Sequence, residues 1–438
     1  MKSILIILFL LFSILAFAQI DLNLGPDWNF TGVGARAAGM GGAFIGVADD
    51  ATAISWNPAG LTQLQKPEAS FVVRGLAELY EVDFDYGIET YEDEHGILNF
   101  LSGVYPFEFS GKQFVAALGV QRQLDLYSYY HEEFYEESDQ DTLEYLNETL
   151  SDGGTSTITI GLANRLASIF SLGVATNLWV GEAYFESNEM IDYHNDFYFY
   201  SEEYEKSDWT FSGVNFVVGA MIDLNYKNNP IPLRIGMVVK TPFELSVDEE
   251  FTLEEYSDDN GAILDPEPIE SSNSYTLGMP LIIGFGASYR FGDNFILAID
   301  MESRKFGDTT LKEDYADLTG MNLENEEVIV MENLDLNQFR FGAEYLFTEI
   351  WDFAVIPLRI GAQTYPTLFM DNNDKQVVGA AFSLGTGLIT DKYSIDISFK
   401  NTEFEIEYGD DDDDDDDDDG FIYKKTMNTL TLSCIYYF

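Results

Sequence analysis

Apolar residues alternate with polar or small residues along most of the chain after Glu68, in segments of roughly ten residues. A period of two is the signature of a β-strand with two different faces, and about ten residues is the length that a tilted strand needs to cross a bilayer. The alternation is clearest where one face carries Leu233, Ile235, Met237 and Val239 and the other carries Arg234, Gly236, Val238 and Lys240. One face suits lipid, and the other suits water.

A soluble β-sandwich also alternates, so the connections between the segments decide between the two folds. Every second connection is short: residues 108–113, the join near Ser168, residues 227–231, residues 292–293 and the neighbours of Asp391. Most of the others are long and acidic: residues 81–94, 131–152, 186–208, 248–270 and 307–335. A sandwich has no reason to segregate loop length and charge, whereas an outer-membrane barrel has short periplasmic turns and long outer loops. The sequence therefore predicts an all-β, transmembrane outer-membrane β-barrel of about fourteen antiparallel strands.

The last segment supports a closed barrel. Leu430, Leu432, Cys434, Tyr436 and Phe438 share one face, while Thr429, Thr431 and Ser433 share the other. As an open edge, this strand would invite aggregation, and pairing with the first strand removes that hazard.

The two ends of the chain predict how it is processed. Met1 to Ala18 combines Lys2, an apolar run and a small-x-small ending, which predicts a secretory signal peptide. The remainder contains no other uninterrupted apolar stretch of about 18 residues, and the single Cys434 cannot form an internal disulfide. We expect residues 1–18 to be the signal peptide, residues 19–66 a hatch, and residues 67–438 the barrel.

The stretch from Gly32 to Leu64 is not built like a strand. Small residues crowd its first half, which suits a compact plug in a confined space. Asp49 and Asp50 precede Ala51 to Trp56, which predicts a short helix that is stopped by Asn57-Pro58.

Residues 34–61, with the centre Gly-Met-Gly-Gly-Ala-Phe and the ending Trp-Asn-Pro-Ala-Gly-Leu, resemble the N-terminal hatch of the FadL-type long-chain fatty acid transporters. The resemblance resumes from Pro230 to Phe438. It implies a hatch that contains short helices and fills the barrel, and it implies a gating turn at Asn57, Pro58, Ala59 and Gly60. The alternative for this turn is a simple helix stop. Other hatch residues that the resemblance singles out are Gly39, Gly41, Gly42, Phe44 and Trp56.

The same resemblance implies uptake of hydrophobic small molecules across the outer membrane of a Gram-negative bacterium, without a cofactor. The ligand would be captured among outer loops, pass to the lumen, and leave when the hatch rearranges, with a sideways exit through the wall as one route. Implied partners are the ligand, outer-membrane lipids and lipopolysaccharide, and the barrel-assembly machinery during biogenesis, and we expect a monomer. The alternative is a PorV-type shuttle or scaffold that binds secreted protein cargo in type IX secretion. An adhesin or structural pore is a third reading.

Aromatic residues in two acidic outer segments are candidates for ligand capture: Phe134, Tyr135, Phe197, Tyr198, Phe199 and Tyr200. The alternative is that the strands extend beyond the membrane and these residues belong to an aromatic girdle. Lumen-facing charges of both signs should pair with each other or with the hatch, where Arg36 is available. They are Arg234, Lys240, Asp300, Glu302, Arg340, Glu344, Arg359, Asp396 and Lys400.

The sequence offers little support for metal binding, catalysis or nucleic-acid binding. The run from Asp410 to Asp419 fails the EF-hand pattern because position twelve is Thr426, so we expect a solvated loop tip and no metal site. The alternative is weak bridging of this run to the anionic outer leaflet through divalent cations. His95, His131 and His194 all fall in predicted outer loops, and no catalytic motif accompanies them, so we expect no enzyme and no catalytic residue. A net charge of -55 argues against nucleic acid as a partner.

Overall fold

The computed structural model describes residues 32–84, 87–137, 142–194, 198–224, 231–259, 261–314, 327–330, 335–351, 353–371, 375–408 and 421–438. Two short α-helices, α1 (Ala35–Gly39) and α2 (Ala53–Trp56), and a 3₁₀ turn at Pro58–Gln63 precede the sheet. A second 3₁₀ turn spans Phe306–Asp308. No described helix has the length and apolar character needed to cross a membrane.

The described strand segments all belong to one antiparallel sheet. They are β1 (Glu68–Phe84), β2 (Gly87–Phe109), β3 (Lys112–Asp125), β4 (Ser128–Glu137), β5 (Thr142–Arg165), β6 (Phe170–His194), β7 (Tyr198–Asp223), β8 (Leu233–Lys240), β9 (Phe243–Asp259), β10 (Ala262–Leu264), β11 (Ile269–Met279), β12 (Ile282–Phe291), β13 (Phe295–Arg304), β14 (Thr310–Asp314), β15 (Glu327–Val330), β16 (Leu336–Trp351), β17 (Ala354–Met370), β18 (Gln376–Ile389), β19 (Tyr393–Tyr408) and β20 (Phe421–Tyr437).

The sheet closes on itself because β1 pairs with β20 as well as with β2, in a register that runs from Glu68↔Tyr437 to Asp83↔Ile422. Several barrel strands are interrupted. For example, β7 pairs with both β8 and β9, which are separated by Thr241-Pro242, and proline cannot donate a ladder hydrogen bond. Joined in this way, the segments form a closed barrel of 14 antiparallel strands. The predicted fold class is confirmed.

The two faces of the wall follow the predicted alternation. On β8, Ile235 and Met237 are exposed on the outer surface, whereas Val238 is buried inside. On β20, Leu430 and Leu432 face outward, and the intervening Thr431 is buried. An outer surface covered by large apolar side chains is the face that a bilayer requires.

The predicted short connections agree with the structure where it describes them, for example at Ser110-Gly111 between β2 and β3 and at residues 292–294 between β12 and β13. The connection at 227–231 lies largely outside the described residues. The predicted long loops are wrong in extent, because strands continue through much of residues 81–94, 131–152, 186–208 and 248–270. These strands are longer than a bilayer requires: β7 alone has 26 residues. Their acidic composition is typical of loops. In the structure, however, hydrogen bonds to neighbouring strands pair their backbone N–H and C=O groups.

Candidate functional site: the hatch and the lumen above it

The described part of the N-terminal segment, residues 32–67, folds inside the barrel. Asp50 Oδ1 accepts hydrogen bonds from the backbone N–H (2.9 Å) and the hydroxyl (2.6 Å) of Thr52 just before α2. Asn57 ends this helix, and its Oδ1 accepts the N–H of Ala59 at 3.1 Å, which caps the following 3₁₀ turn with Pro58 at its first position. The predicted short helix and its stop are both present, although the helix begins at Ala53 rather than Ala51.

Glycines in the barrel wall, which have no side chain, leave room for the hatch. A Cβ at Gly361 would overlap the amide nitrogen of Gly41, and a Cβ at Gly46 of the hatch would lie 2.8 Å from the nitrogen of Ala287. Contacts this short are far inside van der Waals distance. The wall glycines whose Cβ would meet the hatch in the same way are Gly173, Gly219, Gly236, Gly286, Gly342 and Gly361. Glycines on both surfaces therefore set the fit of plug and wall.

Polar side chains of the wall fix the hatch backbone at several points around the barrel. Asp300 Oδ2 on β13 accepts the N–H groups of Phe44 and Ile45, at 2.6 and 2.7 Å. On β18, Ser383 Oγ accepts the N–H of Gly41 at 3.0 Å. Further anchors are Ser288 Oγ donating to Gly46 O, Ser433 Oγ accepting from Ala35 N–H, and Thr62 Oγ1 donating to Ser171 Oγ. Most of these bonds go to backbone N–H or C=O groups of the hatch, and the Thr62–Ser171 bond joins two side chains.

Asn57 joins the two halves of the hatch to the wall. Its Nδ2 donates to the carbonyl of Ile45 at 3.1 Å within the hatch and to the carbonyl of Ala220 on β7 at 3.2 Å. Asn57 is fully buried. Its side chain is therefore both a turn cap and a bridge to the barrel, and the sequence predicted only the local part of this role.

A chain of buried and partly buried charges runs from wall to hatch and back to wall. Arg234 Nη1 on β8 lies 3.2 Å from Asp49 Oδ2, and Asp49 Oδ1 lies 2.6 Å from Arg36 Nη1. Arg36 also pairs with Glu344 on β16, which in turn pairs with Arg359 at 2.7 Å. A final pair joins Arg359 to Asp396 at 2.7 Å. Buried charges persist only when they are paired in this way, and the expectation that Arg36 joins a wall network is confirmed.

A second charged group supports the aromatic part of the hatch. Glu302 lies 2.8 Å from Arg304 and 3.2 Å from Arg340. The Arg340 guanidinium lies over the Trp56 ring, 5.5 Å from its centre. Trp56 also packs edge-on against Phe44 and donates its Nε1–H to the carbonyl of Val33 at 2.9 Å.

The structure brings all of the predicted hatch residues together in one unit that is buried except for the partly buried Trp56: Gly39, Gly41, Gly42, Phe44, Trp56, Asn57, Pro58, Ala59 and Gly60. It also adds residues that the sequence did not select as hatch contacts. The wall glycines are among them, because inter-strand register decides which wall positions face the plug. The same register decides that Asp300, one of the predicted lumen-facing charges, bonds to the hatch backbone. That register cannot be derived from one sequence.

A second apolar core lies in the lumen beyond the hatch, toward the ends of the barrel where the long connections lie. We call it the upper apolar cluster. It consists of Leu124, Trp179, Ala183, Phe211, Leu245, Val247, Tyr275, Leu277, Met279, Phe306 and Leu336. These inward positions would be polar in a water-filled pore. The sequence signal for this cluster is weak. Phe243, Leu245 and Val247 alternate with polar residues along β9, so their three side chains lie on the lumen face.

The predicted capture residues lie on strands rather than in loops. Phe134 and Tyr135 are exposed on β4, at 46% and 58%. Tyr198, Phe199 and Tyr200 begin β7, and Phe197 lies outside the described residues. Two strands, β5 and β6, separate the two groups, a distance of about 14 Å at ordinary strand spacing. The structure therefore does not bring the two groups together, and their role in ligand capture stays a prediction.

The remaining predictions concern histidines and metal. His95 is not in a loop, because it lies on β2 and its Nε2 is 2.7 Å from Asp125 Oδ2. His131 and His194 are on β4 and at the end of β6. In the described ranges, no group of three or more His, Cys, Asp or Glu side chains is arranged to hold a metal ion. The run Asp410 to Asp419 lies outside those ranges.

Solved structures share this architecture at low sequence identity. A Pseudomonas aeruginosa FadL homologue aligns with a TM-score of 0.62 and 15% identity, covering 94% of this chain and 100% of its own. The P. putida toluene transporter TodX gives 0.60 and 12%, covering 94% and 99%. The CymD monoaromatic hydrocarbon channel gives 0.54 and 14%, covering 94% and 99%. The resemblance to FadL-type barrels is thus confirmed at the level of the fold.

Sequence comparisons give the family. A search of curated proteins finds no match. The model of the BamG family matches residues 1–414, which is nearly the whole chain. This protein, a hatch-plugged barrel of the FadL type, belongs to the BamG family.

Proposed function

We propose that this protein lies in the outer membrane and carries hydrophobic small molecules inward past its hatch. The observation that carries the proposal is the upper apolar cluster, which lies in the lumen directly beyond a plug held to the wall by polar contacts. An apolar molecule that enters between these side chains would remain out of water until the hatch moves. No covalent chemistry is required.

An apolar route through the barrel would solve a physical problem that apolar solutes meet at the outer membrane. A lipopolysaccharide leaflet with charged sugars resists apolar solutes, so a protein site lined by apolar groups lowers the barrier to their passage. Affinity would come from burial of the ligand, at about 0.8 kcal/mol for each methylene. Solved structures with this fold include a toluene transporter and a monoaromatic hydrocarbon channel, which supports aromatic hydrocarbons as ligands, and the resemblance to FadL-type transporters supports long-chain fatty acids.

Native mass spectrometry of the detergent-extracted protein tests this function. We expect a bound fatty acid or hydrocarbon to be retained, and added oleate to bind at one molecule per barrel with a dissociation constant in the micromolar range. Protein that carries no apolar ligand, and binds neither oleate nor toluene, would contradict the proposal.

A partner-binding role is the second candidate, and family membership is the observation that favours it. The name BamG relates the family to barrel assembly. A scaffold role on this barrel also matches the PorV-type alternative, in which the outer parts bind proteins. Stoichiometric co-purification with components of the barrel-assembly machinery, from cells that express the protein at its native level, would favour this role. Equal barrel assembly in its absence would argue against it.

The processing and assembly of the chain remain part of the proposal. We expect cleavage after Ala18, a hatch that begins at Gln19 and ends at Lys66, and a monomeric barrel over residues 67–438. N-terminal sequencing of the membrane-extracted protein and its mass in detergent check these points. A mature protein that begins at Met1 would contradict secretion through a cleaved signal.

A further inference from the structure

The inner face of the barrel becomes acidic beyond the upper apolar cluster. On β7, Phe211 is buried in that cluster, and the alternation of the strand puts Glu205 and Glu203 on the same face. Glu205 lies about 20 Å farther along the strand than Phe211, on the side away from the hatch. The exposed apolar side chains that face the bilayer begin at Val214, so both glutamates lie beyond the membrane-spanning part of β7.

Glutamates of three neighbouring strands form a row on this face. Glu203 of β7 pairs directly with Glu189 of β6 on one side and with Glu255 of β9 on the other, in ladders without a register shift. Glu205 lies on the same face, next to this row and nearer the upper apolar cluster. We call these four residues the acidic face. Like charges directly opposite one another destabilise a sheet, so strand pairing does not account for the row.

The charges of the acidic face are not compensated by nearby cations. Among the residues that the structure describes, none of its four glutamates forms an ion pair. Lys206 is the only lysine or arginine in residues 128–153, 185–209 and 249–259, and its Nζ lies 2.8 Å from Asp208. Partial burial and the neighbouring carboxylates raise the pKa of Glu203 and of Glu205, as expected for like charges without a counterion.

Uncompensated charge of one sign affects charged and uncharged ligands differently. An apolar molecule that enters from the outer end of the barrel passes the acidic face before it reaches the upper apolar cluster. Carboxylates on its path repel an anion but exert no such force on an uncharged molecule. A surface of one sign changes the rate at which a charged ligand arrives by roughly 10- to 1,000-fold, and salt screens this effect.

From these observations we infer that the acidic face is a charge filter on the route to the upper apolar cluster: uncharged apolar molecules pass it, and apolar anions pass it more slowly. Its glutamates are then specificity-determining residues, and the favoured substrates are uncharged hydrocarbons. The inference rests on the proposed transport function. It concerns the rate of entry and not the affinity of the cluster, so a fatty-acid anion still binds at equilibrium but arrives later than an uncharged molecule of similar size.

Two fluorescent probes with the same ring system test the filter. Phenylnaphthylamine is uncharged, and anilinonaphthalenesulfonate adds one sulfonate group to it. The full-length protein in discs of zwitterionic phosphatidylcholine is mixed rapidly with each probe, and energy transfer from tryptophan, including Trp179 of the cluster, gives the association rate.

At about 10 mM salt we expect the uncharged probe to associate about tenfold faster than the sulfonate probe, and we expect high salt to remove most of this difference. Equal association rates of the two probes at low salt would overturn the filter. A difference in rate that does not respond to salt would overturn it as well.

Charge removal separates the acidic face from the overall negative charge of the chain. Glu203→Gln/Glu205→Gln keeps the side-chain shape, and it should raise the association rate of the sulfonate probe at least threefold while leaving that of the uncharged probe unchanged. Glu202→Gln/Glu254→Gln is the matched control, since it removes the same charge from exposed residues on the opposite face of β7 and β9. An equal rise in both variants would overturn the filter and leave transport standing. Failure of both probes to bind the parent protein would instead contradict the proposed function, and the filter with it.

Discussion

Arg36 of the hatch donates two parallel hydrogen bonds to Glu344 of the wall, from Nε–H to Oε2 and from Nη2–H to Oε1, each 2.9 Å long. Paired, fork-shaped contacts of this kind are directional as well as strong. Arg36 also reaches Asp49, so one side chain ties the first helix of the hatch to its later turn and to the barrel. The hatch can move against the wall only if the contact between Arg36 and Glu344 breaks or Glu344 moves with it.

Replacing Arg36 with alanine should loosen the hatch while leaving the barrel closed. Glu344 keeps Arg359 and Asp49 keeps Arg234, so the wall charges remain paired. We expect the free energy of opening of the hatch to fall by about 3 kcal/mol, measured by amide exchange of residues 34–49. Lys424→Ala, which removes a more exposed pair with Glu81, is the control and should leave exchange unchanged. Unaltered hatch exchange in Arg36→Ala would show that the pair does not hold the plug.

The fit between glycines makes a steric prediction. Gly361→Ala places a methyl group against the amide of Gly41, so we expect either a displaced hatch or a loss of about 1–3 kcal/mol of stability. Gly103→Ala is the control, since nothing lies within 4 Å of its added Cβ. Thermal unfolding, followed by the heat-induced shift in gel mobility, compares the two. Equal stability of both variants, with an undisturbed hatch, would disprove the close fit.

Asn57 offers a test of the gating turn. Asn57→Ala leaves the carbonyls of Ile45 and Ala220 without their donor, and we expect a loss of about 1–3 kcal/mol in hatch stability. If the turn gates passage, uptake of labelled oleate by cells should change with it. Replacing Asn57 and Pro58 together should change uptake further. Unchanged uptake in a correctly folded barrel would leave this turn as a simple helix stop.

The fold was largely predictable because its determinants are local. Alternation marks each strand, and the small residues of 34–46 with the stop at Asn57-Pro58 mark the plug. The extent of the strands was not predictable, since acidic segments such as residues 186–208 have the composition of loops. Only the pairing of β6 with β7 shows how their backbone groups are satisfied.

The site was predictable in part for the same reason. The hatch residues follow from their own sequence, but their partners depend on strand register. Asp300, for example, is one of several inward-facing acids, and nothing in the sequence shows that it receives the N–H groups of Phe44 and Ile45.

The upper apolar cluster makes a prediction about ligand affinity. Leu245→Ala removes a fully buried side chain from this cluster, so we expect oleate to bind about tenfold more weakly, as expected for a loss of roughly two methylene contacts. Leu264→Ala, at an exposed position of β10, is the matched control and should bind as the parent protein does. Fluorescence titration of the purified proteins measures both. Equal affinity would place the ligand elsewhere.

Locking the hatch to the wall tests whether the hatch must move for a ligand to pass. Ala35 N–H donates to Ser433 Oγ at 3.3 Å, so the two positions are neighbours, and cysteines are introduced there to form a disulfide between plug and barrel, which the mass of the oxidised protein verifies. Ala35→Cys/Ser433→Cys is made with Cys434→Ser, and oleate uptake by cells is measured before and after reduction. We predict that oxidation blocks uptake and that reduction restores it. Equal uptake in the oxidised and reduced states would contradict passage past a moving hatch.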